Sequence, residues 1–211
     1  RGLGVPSDSE VTDLFRQIPL FLLSKIIPIN LALQVYYLLC YFLGTYGFYL
    51  LSKLFLKKYL IKEPKKIKNY IFELSAVGAS LFYAFNMHTV EVFFFPISLY
   101  IVRFFFFPLF LYYFLKLLHQ KKFAIKDILF FTLVSLFGSP AYVTATVFFS
   151  LLIPVGLIVL THLFAIKKSL KLGIFFLIIN SFWLIPFGNY FFNEADNIDK
   201  SITFSKINEH L

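Results

Sequence analysis

Cysteine, methionine and tryptophan each occur only once in this 211-residue sequence, and only 11 residues are acidic. The single cysteine, Cys40, has no partner for a disulfide within the chain, and there is no Cys/His pattern for a zinc site. The sequence also lacks a P-loop, a glycine-rich dinucleotide fingerprint and an internal repeat of roughly 20 to 50 residues. These absences remove the usual signatures of nucleotide hydrolases, dinucleotide enzymes, zinc modules and solenoids.

Apolar residues, by contrast, are in large excess. The chain contains 31 phenylalanines and 59% hydrophobic residues, and its mean hydropathy is +0.79. The core of a soluble protein of this size cannot hide so much apolar surface. Mostly apolar runs recur along the chain, and a run of about twenty residues crosses about 30 Å of hydrocarbon as a helix. The sequence therefore predicts an all-α, polytopic membrane bundle of about six transmembrane helices, with interfacial helices on the outer face.

The predicted bundle occupies residues 30–192, and polar segments flank it on both sides. Its transmembrane helices are predicted at residues 30–55, 70–85, 98–118, 124–137, 142–166 and 172–187. Residues 1–29 are expected to form an outer loop with an interfacial helix, because the apolar stretch at 18–29 is too short to span. Residues 193–211 would begin another outer loop or a tail. The chain starts at Arg1 without a signal-peptide pattern, so we expect a fragment that lacks an upstream helix.

The lysines predict the orientation, because loops that stay in the cytoplasm are rich in Lys and Arg. Three alternate loops carry clusters of them: Lys57, Lys58, Lys62, Lys65, Lys66 and Lys68, then Lys121 and Lys122, then Lys167, Lys168 and Lys171. We therefore place these loops in the cytoplasm and the N-terminal stretch, the turn at 86–96 and the C-terminal tail outside a plasma membrane. Retention and attraction to anionic lipids explain the lysines, so we expect no nucleic-acid partner.

Three stretches carry a resemblance to a known family: PSDSEVTDLF at 6–15, FYAFNMHTVEVFF at 82–94 and NSFWLIPF at 180–187. With the outward loops around them, they resemble the multi-spanning glycosyltransferases of the GT-C class, especially the arabinofuranosyltransferase-like and mannosyltransferase-like membrane proteins. The resemblance implies transfer of a sugar from a polyprenyl-phosphate donor, at the outer face, to a glycan or protein acceptor. It also implies a carboxylate that takes the proton of the acceptor hydroxyl.

Asp8, Glu10 and Asp13 are the outer carboxylates before the first predicted helix, and they are the catalytic candidates, with Asp8 the first choice. A structural role competes with this interpretation. Ser7 and Glu10 have the spacing of a capping box, and acidic side chains at a helix start interact favourably with the helix dipole. The two roles are compatible for Asp8 and Asp13.

His88, Glu91 and Arg103 are the candidates for substrate binding. His88 and Glu91 are three residues apart, so on a helix they would share a face and bind a divalent cation or the carrier phosphate. Alternatively, they are ordinary polar residues of a surface turn. Arg103 lies inside the predicted third helix, where an ionisable group usually faces a cavity or a partner. It would either hold a lipid phosphate or extend to the head groups.

Two other interpretations of the whole chain stay open. The first is a transporter or lipid-carrier flippase, which typically shows paired helix breaks near mid-membrane; Pro154 and Gly156 have no counterpart in another helix. The second is a non-catalytic assembly subunit, in which the outer acidic residues only cap helices. Within the bundle, Asn180 is expected to bond between helices and Trp183 to lie at the membrane interface.

Overall fold

The computed structural model describes residues 13–57, 66–94, 98–142 and 145–193. Across these residues 91% of the structure is helical and no strand occurs, so the predicted all-α class is confirmed. Nine α-helices follow one another in this part of the chain: α1 Leu14–Ser24, α2 Ile29–Phe55, α3 Lys66–Phe85, α4 Met87–Phe94, α5 Ser98–His119, α6 Ile125–Phe137, α7 Ala145–Thr161, α8 Ile166–Ile179 and α9 Ser181–Asn193. Two short 3-10 turns, Ser139–Tyr142 and Leu163–Ala165, lie on either side of α7.

Two helices of the described residues are long and apolar enough to cross a membrane. They are α2, Ile29–Phe55, and the segment Tyr100–His119 of α5. Shorter apolar helices lie at Leu14–Ser24, Tyr70–Phe85 and Leu151–Thr161. By length and composition, the described residues therefore contain two candidate membrane spans. The predicted six spans are not confirmed.

The central helix of the bundle is α5. In its most apolar 18-residue stretch, 72% is buried inside the bundle, against 17% in the corresponding stretch of α2. Its phenylalanines form the core: the Phe110 ring lies 5.1 Å from Phe131 of α6 and 5.3 Å from Phe176 of α8. Burial on several sides explains why this helix is apolar around its whole circumference. The other helices pack around it.

Helices α2 and α5 run in the same direction and pack closely through two glycines. Gly44 lies against Phe104, and Gly47, one turn later, lies against Leu109. A Cβ on Gly44 would stand 2.5 Å from Cδ1 of Phe104 and 2.8 Å from its carbonyl oxygen. The absence of side chains at these positions is therefore what allows the two backbones to approach.

Helix α3 runs antiparallel to α2, as two contacts between them indicate. The Tyr41 hydroxyl, near the middle of α2, donates to the Ala84 carbonyl near the end of α3 at 3.3 Å. The Tyr49 hydroxyl, later in α2, donates to the Glu73 carboxylate in the first half of α3. The short connection at Asn86 then turns the chain into α4.

Helix α6 runs antiparallel to α5 in the same way. Lys116 donates to Asp127 at 2.7 Å, where α5 ends and α6 begins, and Gly138 lies against Phe106 at the other end. Lys168, at the start of α8, donates to the backbone where α5 ends. One end of the bundle therefore carries three lysines from different helices, and we call it the lysine end. They are Lys53 near the end of α2, Lys116 near the end of α5 and Lys168 near the start of α8.

The predicted helix at 172–187 is divided into α8 and α9 at Asn180. The side chain of Asn180 is fully buried; its Nδ2 donates to the Phe176 carbonyl at 2.9 Å, and its Oδ1 accepts from Trp183 Nε1 at 3.0 Å. Asn180 thus links the end of α8 to the start of α9 through bonds to residues four and three positions away. Trp183 is buried inside the bundle, where its indole is paired with Asn180.

The packing of α2 on α5 gives a first prediction. Gly44→Ala should lower the free energy of unfolding by about 1–3 kcal/mol, because the new methyl group overlaps the ring and backbone of Phe104. Gly78→Ala is the matched control: a Cβ there meets nothing within 4 Å, and alanine favours a helix by up to about 1 kcal/mol. Thermal unfolding in detergent compares the two variants, and equal shifts would contradict the close packing.

Candidate functional site

A cleft of about 260 Å³ lies where the end of α3, the helix α4 and the first half of α5 meet. Polar and aromatic side chains line it, among them Tyr83, Asn86, His88, Tyr100, Arg103 and Phe107. Two of the three residues predicted to bind substrate, His88 and Arg103, therefore share one cavity although they are 15 positions apart in the sequence. The cleft lies at the end of the bundle opposite the lysine end.

Asn86 fixes the corner between α3 and α4. Its Oδ1 accepts the backbone N–H of Thr89 at 3.0 Å, which caps the first turn of α4. Its Nδ2 donates to the Tyr83 carbonyl at 2.7 Å and to the Thr89 hydroxyl at 2.9 Å. The Thr89 hydroxyl in turn donates to the same Tyr83 carbonyl at 2.8 Å. The exposed His88 therefore lies at a corner whose backbone is hydrogen-bonded on both the α3 side and the α4 side.

Stacked aromatic rings hold α3 against α5 beside the cleft. The Tyr83 ring lies between those of Phe48 and Phe104, 4.4 Å from each, with interplanar angles of 6° and 14°. The Tyr83 hydroxyl donates to the Phe104 carbonyl at 2.9 Å, so the buried oxygen is paired. Tyr41 adds a further ring parallel to Phe104. We call Phe48, Tyr83 and Phe104 the aromatic stack; it fixes the residue next to Arg103.

Arg103 is half-buried in α5, and its burial is unusual for a group that is always charged. It lies about 8 Å along the helix axis from Ser98, the first residue of α5. The ion pairs of the described residues join Asp13, Glu73 and Asp127 to other cations. In this part of the chain no carboxylate neutralises Arg103. Its guanidinium thus offers several hydrogen-bond donors to an anion.

Glu91 does not belong to the cleft. It lies on α4 with His88, but its side chain is exposed and is not part of the lining. Within the described ranges, no group of three His, Cys, Asp or Glu side chains could hold a metal ion. The described residues therefore bring no third ligand of these types to His88 and Glu91.

Of the three catalytic candidates, the structure describes only Asp13. Asp8, Glu10 and the proposed cap residue Ser7 lie outside the described residues. Asp13 begins α1, where its carboxylate accepts from Gln17 at 2.8 Å and pairs with Arg16. It makes no side-chain bond to the first backbone amides of the helix, so it is not a side-chain cap. It does not line the cleft, and its charge is already engaged.

Tyr83, Asn86 and Tyr100 are among the cleft residues that sequence reasoning missed. A signal was present for Asn86, because asparagine between two helical segments is a preferred N-cap. Nothing comparable marked the two tyrosines. Tyrosines near helix ends are common in membrane proteins, and only the packing of α3 on α5 distinguishes these two.

Comparisons with known proteins give no independent identification of the site. No family model, no curated protein and no solved structure matches this chain. Arg103, His88 and the Tyr100 hydroxyl supply a positive charge and hydrogen-bond donors, and no carboxylate belongs to the lining that the structure describes. This combination favours binding of an anion such as phosphate.

The corner at Asn86 gives a second prediction. Asn86→Ala should cost about 2 kcal/mol of stability, because the Thr89 amide loses its acceptor and the Tyr83 carbonyl loses one of its donors. Asn86→Asp keeps the acceptor and loses only the amide donors, so we expect roughly half that cost. Denaturant titration followed by circular dichroism measures both. Two variants as stable as the wild type would mean that the corner does not hold α4.

Proposed function

We propose that the chain is the membrane-embedded part of a glycosyltransferase that transfers a sugar from a polyprenyl-phosphate donor at the outer face of the plasma membrane. The observation that carries the proposal is the half-buried Arg103, which lines the cleft beside His88 without a described carboxylate partner. A monovalent or divalent phosphate is the anion that an arginine in such a position recognises best. The acceptor is a glycan or a protein.

The exterior of the bundle supports immersion in a bilayer beyond the two longest helices. Large apolar side chains are strongly exposed on α3, α7 and α8, for example Phe82 at 77%, Ile153 at 65% and Ile178 at 64%. A soluble protein does not leave so many large apolar side chains in water. We therefore propose that α3, α6, α7 and the α8–α9 pair cross the membrane with α2 and α5, which makes six spans.

The orientation follows from charge. The lysine end would stay in the cytoplasm, since basic residues near the ends of spans favour that side. The cleft lies at the other end, so Arg103 and His88 would face the outer leaflet. A polyprenyl-phosphate donor there would bring its phosphate to the depth of Arg103, with its hydrocarbon in the surrounding lipid.

In the proposed reaction, Asp8 takes the proton from the acceptor hydroxyl. The acceptor oxygen attacks the anomeric carbon of the sugar, and the bond from that carbon to the phosphate oxygen breaks. Arg103 stabilises the negative charge that builds up on the departing phosphate, while His88 adds a hydrogen bond. Glu10 is the second candidate for the base. Asp13 is better suited to hold Arg16, with which it already pairs.

A lipid-carrier flippase is the second candidate function. It is favoured by one observation: the cleft contains phosphate-binding groups but no described carboxylate, as expected of a site that binds without catalysing. A flippase and a transferase differ in whether the acidic residues before α1 are needed for turnover. Asp8→Asn and Glu10→Gln therefore distinguish the two functions.

Arg103→Ala should lower sugar transfer by about 10- to 100-fold, because a charged hydrogen bond to the phosphate contributes about 1.5–3 kcal/mol. Arg103→Lys should recover part of this activity, since it restores the charge but not the planar geometry. Glu91→Gln is the matched control and should transfer sugar normally, because Glu91 lies outside the cleft. Radiolabelled transfer from a polyprenyl-phosphate sugar in isolated membranes measures all three. Full activity of Arg103→Ala would contradict the phosphate site.

Asp8→Asn should reduce transfer by about 100-fold or more, the typical contribution of a general base. Donor binding, measured by retention of the radiolabelled polyprenyl-phosphate sugar on purified protein, should stay within twofold of the wild type. Asp13→Asn serves as the comparison and should lose much less activity. If Asp8→Asn and Glu10→Gln both turn over normally, the protein is not a transferase that uses these residues, and the flippase or a non-catalytic subunit is favoured.

A further inference from the structure

A second and larger cavity lies in the half of the bundle nearer the lysine end. Its volume is about 810 Å³, and α2, α3, α5 and α7 enclose it. The lining is mainly hydrocarbon and includes Leu51, Phe55, Ala79, Leu111, Leu115 and Ile158. Its size is within the range of pockets that bury most of a small-molecule ligand. We call it the groove.

The aromatic stack separates the groove from the cleft. Phe48 lines the groove, and Tyr83, on which it stacks, lines the cleft. The Tyr83 hydroxyl is tied to the Phe104 carbonyl, so the ring is held in place between the two cavities. A molecule in the groove would therefore not reach Arg103. The groove is therefore a candidate binding site separate from the cleft.

The groove extends to the lysine end. Phe55 and Leu56, at the end of α2, belong to its lining, as do Thr161 and His162, at the end of α7. These helix ends mark one side of the bundle. In a bilayer, a hydrocarbon chain would enter the groove from the leaflet on that side.

The charge at this opening is positive. Lys57 follows directly after Leu56 and is exposed. Lys53, one turn earlier, forms a salt bridge with Glu73 and donates a hydrogen bond to the Tyr49 hydroxyl. Basic residues beside openings between membrane helices attract anionic lipid head groups.

We propose that the groove binds one hydrocarbon chain of an anionic phospholipid, whose head group is held at the exposed Lys57. The apolar lining explains the chain, and the charge at the opening selects the head group. This site uses none of the residues of the cleft, and it requires only that the bundle lies in a bilayer. It goes beyond the proposed sugar transfer, because a lipid of the opposite leaflet would occupy it.

The test uses native mass spectrometry of the full chain in detergent, with two phospholipids that have the same chains, phosphatidylglycerol and phosphatidylcholine. We expect the unaltered protein to retain phosphatidylglycerol at least fivefold better. This arm needs no variant, so it is decisive whatever the folding of the mutants. Equal retention of the two lipids would overturn the selection for an anionic head group.

Ala79→Phe fills the groove from α3 and should reduce retention of phosphatidylglycerol at least fivefold. Gly78→Phe is the matched control: it adds the same ring at the next position, where a side chain meets open space, and retention should stay unchanged. Ser75→Phe, also in the lining, provides a second filling variant. If both filling variants retain the lipid like Gly78→Phe, the groove is not the site. Arg103→Ala should leave retention intact, so failure of the proposed transferase and failure of the lipid site are distinguishable.

Discussion

The Tyr83 ring, stacked between Phe48 and Phe104 with its hydroxyl bonded to the Phe104 carbonyl, is the contact on which the rest of the structure depends. It joins α2, α3 and α5 at a single point. Because Gly44 lets Phe104 approach α2, the three helices meet without a gap. The cleft with Arg103 and His88 lies on one side of the stack and the apolar groove on the other, so one aromatic contact separates two cavities of different chemistry.

Helix direction explains why the two ends of the bundle differ. Antiparallel neighbours bring the end of α3 beside the start of α5, and this places His88 close to Arg103. The same alternation collects lysines at the other end, where Lys116 is satisfied by the buried carboxylate of Asp127. Lys116 is thus paired at the lysine end, whereas no described carboxylate pairs with Arg103. The asymmetry is what makes the cleft a candidate site.

Much of the helical pattern could be predicted, because apolar runs and polar breaks mark the helices in the sequence. The division at Asn180 could not be, since no proline or glycine stands at the break and the side chain is satisfied locally. Arg103 was recognised because an ionisable group in an apolar run is costly. The pairing of Asp13 follows from its spacing to Arg16 and Gln17, but the groove, formed by four helices, has no signal in any single stretch of sequence.

The central claim is that the cleft and the lysine end face opposite sides of a membrane. It is tested most directly by cysteine accessibility in a Cys40→Ala background, with one new cysteine at a time at the exposed positions of His88 and Lys57. A membrane-impermeant maleimide added to intact cells should label position 88, and it should label position 57 only after the membrane is opened. Labelling of both positions from the same side would contradict the claim.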